Sequence, residues 1–183
     1  MKTHDMIWRA WRAAAATMVG LAVWCGPGLL QAGGLVPYKG TIEGEVTIGS
    51  TGDIVAPPAQ QISSHLGKGV QVYDELVITT TKTGLRAEGL CRSIAANGDE
   101  LQIQFVMEGP FDGDETVAYV GYYEILPDGT GRFAYNPAMT ELGRGTLAGV
   151  AEITTDPLTG VTTIAFRHDF KGTIYIGRAR KEK

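Results

Sequence analysis

Tryptophan is confined to the first 24 residues, at Trp8, Trp11 and Trp24. Cysteine is scarcer still, with only Cys25 and Cys91, and histidine occurs three times. No Cys-x-x-Cys, His-Glu-x-x-His, Gly-x-Ser-x-Gly or EF-hand loop is present. Those absences exclude the metal sites and the nucleophile elbow that announce themselves by spacing. No apolar run approaches the roughly 20 residues that a membrane-spanning helix needs. Positive charge is also short: 16 Lys+Arg stand against 20 Asp+Glu, a net charge of −4. Nucleic acid and anionic lipid both select basic surfaces, so neither is an expected partner.

What the chain does carry first is a leader pattern. Lys2, Arg9 and Arg12 face a single Asp5, Ala13–Val23 is apolar, and Gly26-Pro27-Gly28 breaks the run before Leu30-Gln31-Ala32. That order is the order of an export signal. We expect residues 1–32 to be a signal peptide cut near Ala32/Gly33, sending the remainder to the periplasm or the medium. Trp24 occupies the position where a lipoprotein signal needs a small residue, so Cys25 does not read as a lipid anchor. Residues 33–183 then number 151, with 13 Lys+Arg, 19 Asp+Glu, no tryptophan and Cys91 alone. This length supports one domain with its own core. An intrachain disulfide is ruled out, so packing must hold the domain in an oxidising destination.

After the leader the pattern is one of short alternating runs separated by turn residues. Tyr38–Ile48, Val70–Thr80, Leu85–Ala95 and Thr116–Leu126 read as strands, with Val70, Val72, Leu76 and Ile78 on one face of the second. The clearest alternation sets Leu101, Ile103, Phe105 and Met107 against Gln102, Gln104 and Glu108. Ala96-Asn97-Gly98-Asp99 supplies a hairpin turn. Gly145–Thr155 and Val161–Lys171 form a hairpin, with Thr173–Gly177 as an added last edge. Gly49–Gln61, with Gly52-Asp53 and Pro57-Pro58, disfavours regular structure. No amphipathic helix follows the leader, and residues 178–183 form a charged, solvated tail. The expected fold class is all-β and antiparallel, a sandwich or a barrel, over residues 33–177.

Three segments carry a resemblance. They are Ser64-His65-Leu66-Gly67, Ala95-Ala96-Asn97-Gly98-Asp99 and Gly129-Thr130-Gly131-Arg132-Phe133-Ala134, framed by Tyr38-Lys39-Gly40 and Phe170-Lys171-Gly172-Thr173-Ile174. In this order the set resembles exported bacterial proteins with the allene oxide cyclase–dirigent β-barrel. The resemblance implies a single up-and-down barrel of about eight strands with a side-chain-lined interior. It implies little chemistry, because many such proteins have no assigned activity. Tyr135-Asn136-Pro137-Ala138-Met139 departs from the family's more glycine-rich turn.

No catalytic residue, metal ligand or cofactor is assigned from the sequence. Ser64 and His65 are neighbours, and neighbours on a strand point to opposite faces. Cys91 reads as an inert core thiol. His65 reads as a turn residue bonded to backbone, and His168 as an interior histidine beside Phe166 and Phe170. Glu108, Asp112, Asp114 and Glu115 lack calcium-loop spacing and read as a solvated hairpin. Tyr119 and Tyr123 share a face with Val117 and Ile125, whereas Tyr122 and Val120 take the other. An aromatic inner face with phenol tips suits a small-molecule pocket. The candidate ligand-binding residues are therefore Tyr119, Tyr123, His168 and Phe105.

The expected function is an exported non-enzymatic barrel. It would bind a small apolar or amphipathic ligand or act as an envelope interaction module, touching neither nucleic acid nor membrane once the leader is gone. The alternative is a cyclase- or dirigent-type enzyme whose pocket orients a reactive intermediate. A third reading is self-association through an exposed strand edge. Lack of tryptophan argues against a sugar-stacking platform.

Overall fold

A computed structural model describes residues 34–81, 84–110, 115–134 and 142–176. The leader, Asp112, Asp114 and the charged tail lie outside the described residues. Nine strands follow in order: β1 (Gly34–Ile48), β2 (Ile54–Val55), β3 (Ala59–Ser63), β4 (Gly67–Thr81), β5 (Gly84–Ala95), β6 (Glu100–Pro110), β7 (Thr116–Ile125), β8 (Arg144–Thr155) and β9 (Thr162–Ile176). The one helical element among the described residues is a 3-10 turn, Gly131–Phe133.

Every strand pairs antiparallel with its neighbour in sequence, except that β2 and β3 both lie along one flank of β1. The other flank of β1 pairs with β9 over its full length, Gly34↔Ile176 to Ile48↔Thr162. The sheet therefore closes into a ring, and among the described residues open edge is left at β2 and along residues 72–81 of β4, which pair on one side. The last stretch of β9 is not an added edge: it runs on from Lys171 without a break and pairs with Gly34–Pro37. Closure needs bends. At Gly89 and Gly121 a side-chain carbon would be driven into the carbonyl oxygens of Glu75 and Val106, so these strands approach where only glycine fits.

Two sequence expectations change. The stretch expected to be irregular contains β3, whose inward residues are Ala59, Gln61 and Ser63, all buried. Its inner face is mostly polar, so it shows no hydropathic alternation, and only the Pro57-Pro58 break beside it stands out. In β4 the face is not continuous. Tyr73 pairs with Cys91 and Glu75 with Leu90, leaving Asp74 as a bulge. An extra residue flips parity, so Gln71 and Tyr73 point inward before it and Leu76 and Ile78 after it. Val70 and Val72 consequently lie on the outer face. The bulged Asp74 carboxylate takes the Arg92 guanidinium at 2.9 Å.

One end of the ring is sealed. Phe133, Leu66, Leu101, Ile125 and Ile174 are buried there within the core. Arg132 fastens the seal: it donates to the His65 carbonyl, pairs with Asp99 at 3.3 Å and lies 5.1 Å from the Phe133 ring centroid. Thr130 and Glu100 exchange further bonds, Thr130 N to the Glu100 carbonyl and Glu100 N to Thr130 Oγ1.

Candidate functional site

The inner face of the ring carries all four candidate residues. Phe105, Tyr119, Tyr123 and His168 are buried, whereas Tyr122 and Val120 are about half exposed on the outside. Their positions follow from the period-two alternation of β6, β7 and β9. The way they meet follows from glycine. Tyr119 on β7 is opposite Gly149 on β8, which is opposite His168 on β9. With no side chain at the middle position, the Tyr119 hydroxyl crosses to His168 Nδ1 and shares a hydrogen bond of 2.9 Å. Tyr123 repeats the device over Gly145 and Gly172, where a methyl group would collide with its hydroxyl. Its ring meets Tyr38 edge-on at 6.3 Å.

Burial sets the protonation of these groups. It lowers the pKa of His168 from 6.5 to about 4, with Asp169 pulling weakly the other way, so the ring is neutral at pH 7. The ring stacks on Phe166, with centroids 5.8 Å apart. Burial pushes Tyr38 up to about 12, against the opposing pull of Ser63, Gln61 and Ser93. It raises Tyr119, Tyr123 and the Cys91 thiol as well. The phenols and the thiol therefore stay protonated at neutral pH. A thiol so placed is core, as its sequence context implied. His65, outside the ring, bonds the Pro37 carbonyl through Nε2 at 2.8 Å, the backbone role expected of it.

Two chambers lie inside. The larger, about 50 Å³, is walled by Leu76, Ile78, Leu85, Ala87, Ile164 and Phe166, with Tyr119 adding a phenol. It lies toward the end opposite the Arg132 seal, and Leu76, Ile78 and Phe166 are only part-buried there. Its volume is a third of the roughly 150 Å³ apolar cavity that admits benzene. Such a slot suits a slender alkyl group better than a ring. The smaller chamber, about 30 Å³, contains Tyr123, His168 and Phe105 in its wall. Sequence reasoning thus found residues of both chambers but did not assign Leu76, Ile78, Leu85 and Ala87 to one; it grouped Leu76 and Ile78 with Val70 and Val72, which the β4 bulge turns outward. It also missed the inward polar residues Gln61, Gln71 and Ser93, which carry no hydropathic signal.

Among the described residues no group of three or more His, Cys, Asp or Glu side chains is arranged to hold a metal ion. Comparison with family models, curated proteins and solved structures finds no match for this chain.

Proposed function

We propose that this chain is an exported, non-enzymatic β-barrel that binds a small apolar or amphipathic ligand in the slot beside Tyr119. The apolar chamber carries this reading: a wall of aliphatic and aromatic side chains whose only polar side-chain groups are the phenols of Tyr73 and Tyr119. A core filled to ordinary density would leave no such space. The leader pattern supports export, and the resemblance of the motif set to allene oxide cyclase–dirigent barrels supports the fold name. Those motifs meet at the Arg132 seal, away from the slot, so they speak for architecture and not for an activity.

Native mass spectrometry of protein purified from its own source tests the proposal. We expect a species starting near Gly33 that retains an uncharged organic adduct, and loss of that adduct in Ala87→Leu, which fills the slot. Retention of adduct by Ala87→Leu would move the ligand elsewhere, and an unliganded wild type would remove the support for binding.

The enzymatic reading draws on one observation, the Tyr119–His168 hydrogen bond next to an apolar slot. Such a barrel would act by orienting a reactive intermediate. It requires that Tyr119→Phe abolish turnover of a candidate intermediate while leaving its binding intact.

A further inference from the structure

On the far side of Met107 from the apolar slot, the smaller chamber differs in kind. Met107 alone among the described residues lines both spaces. Gln71, Ser93, Tyr38, Tyr123 and His168 contribute to the smaller one. Ser93 is fully buried, and its Oγ, though turned toward the Tyr38 hydroxyl, makes no hydrogen bond of ordinary geometry. A buried hydroxyl left unpaired is costly and marks a place where a polar group belongs. At about 30 Å³, with roughly 10–15 Å³ needed per water-sized group, there is room for one terminal polar group and little more.

Charge narrows the choice. No Lys, Arg, Asp or Glu lines this chamber, and burial keeps His168 neutral and the phenols protonated. A carboxylate or an ammonium would surrender its hydration without meeting a counter-charge. An alcohol would lose only hydrogen bonds that Ser93 and its neighbours can replace.

The geometry points to this chamber as the seat of a neutral head group, a hydroxyl or similar group that both gives and takes a hydrogen bond. Its alkyl chain then runs past Met107 into the apolar slot. Met107 is unbranched and flexible, the side chain best suited to yield between two such spaces. This inference rests on the ligand-binding reading above and narrows it to uncharged, slender amphiphiles.

Calorimetric titration of the protein with n-hexane, n-hexanol and hexanoate at pH 7 tests it. We expect saturable binding of n-hexane, tighter binding of n-hexanol, and hexanoate at least about tenfold weaker than n-hexanol. Ser93→Ala should weaken n-hexanol by about fivefold and leave n-hexane unchanged; the lost oxygen makes no hydrogen bond of ordinary geometry, so the fold should survive. Met107→Phe, which bars the passage, should weaken n-hexanol more than n-hexane and so remove the advantage of the alcohol. Equal binding of hexanoate and n-hexanol, no gain of n-hexanol over n-hexane, or no effect of either substitution would overturn the neutral seat while leaving the slot intact. Failure of both n-hexane and n-hexanol to bind would instead bring down the ligand-binding reading itself.

Discussion

Tyr119 and His168 form the most constrained polar contact of the interior, and solution pH reports on it. The unfolded chain takes up the His168 proton near 6.5, the native chain only near 4. Falling pH therefore favours the unfolded state. This contribution is fully present above about 6.5, fades between 6.5 and 4, and amounts to about 3 kcal/mol at most. Denaturant titrations across that window should show the decline in the natural protein and a shallower one in His168→Leu. Equal slopes would mean that the imidazole is reached by solvent in the native state. Tyr119→Phe should cost about 1–3 kcal/mol at pH 7, since it strips a buried ring nitrogen of its partner. The alternation of β7 and of β9 made the inward course of Tyr119, Tyr123 and His168 legible. Their meeting was not legible, because it depends on Gly149, Gly145 and Gly172, whose relevance appears only once the strand register is known.

At the scale of elements, the three turn-like segments that carried the family resemblance prove to be one assembly. His65, Asp99 and Arg132 belong to three separate turns, and the guanidinium joins them. Gly131, with φ +60°, sits where a side chain would strike the Asp99 carboxylate, so the seal needs glycine on two counts. Arg132→Ala should destabilise by about 1–3 kcal/mol, the range for a charge-assisted bond lost at a half-buried site. Amide exchange should quicken at residues 64–66 and 97–99 and not at the far end. Arg132→Lys should restore little, because one ammonium cannot serve a carbonyl, a carboxylate and a ring face together. Uniform loss of protection around the ring would show that the seal is coupled to the whole sheet. The β4 strand teaches the opposite lesson about legibility: Asp74 looks like an ordinary polar position, yet as a bulge it reverses the faces on either side.

For the whole molecule, the decisive property is closure. β1 is paired on both flanks, with β9 on one side and with β2 and β3 on the other. A strand so placed offers no edge to a second copy, so edge-to-edge self-association would have to use β2 or residues 72–81 of β4, which pair on one side only. Closure also explains how a free thiol is shielded: Cys91 is buried inside the ring. The sequence announced an all-β antiparallel domain through its alternation and turns. It could not announce the ring, because closure is a long-range pairing of the first strand with the last. The chambers were still less legible, since an interior space is defined by side chains that fail to touch.

Ligand binding inside the ring requires that the space beside Ala87 and Ile164 be a true apolar slot. Diffraction from crystals under xenon pressure tests it most directly, since xenon enters dry apolar cavities and shuns polar ones. We predict a xenon site between Leu76, Ala87, Ile164 and Phe166 in the natural protein and none there in Ala87→Leu. A slot that stays free of xenon, or that is filled by ordered water, would contradict it.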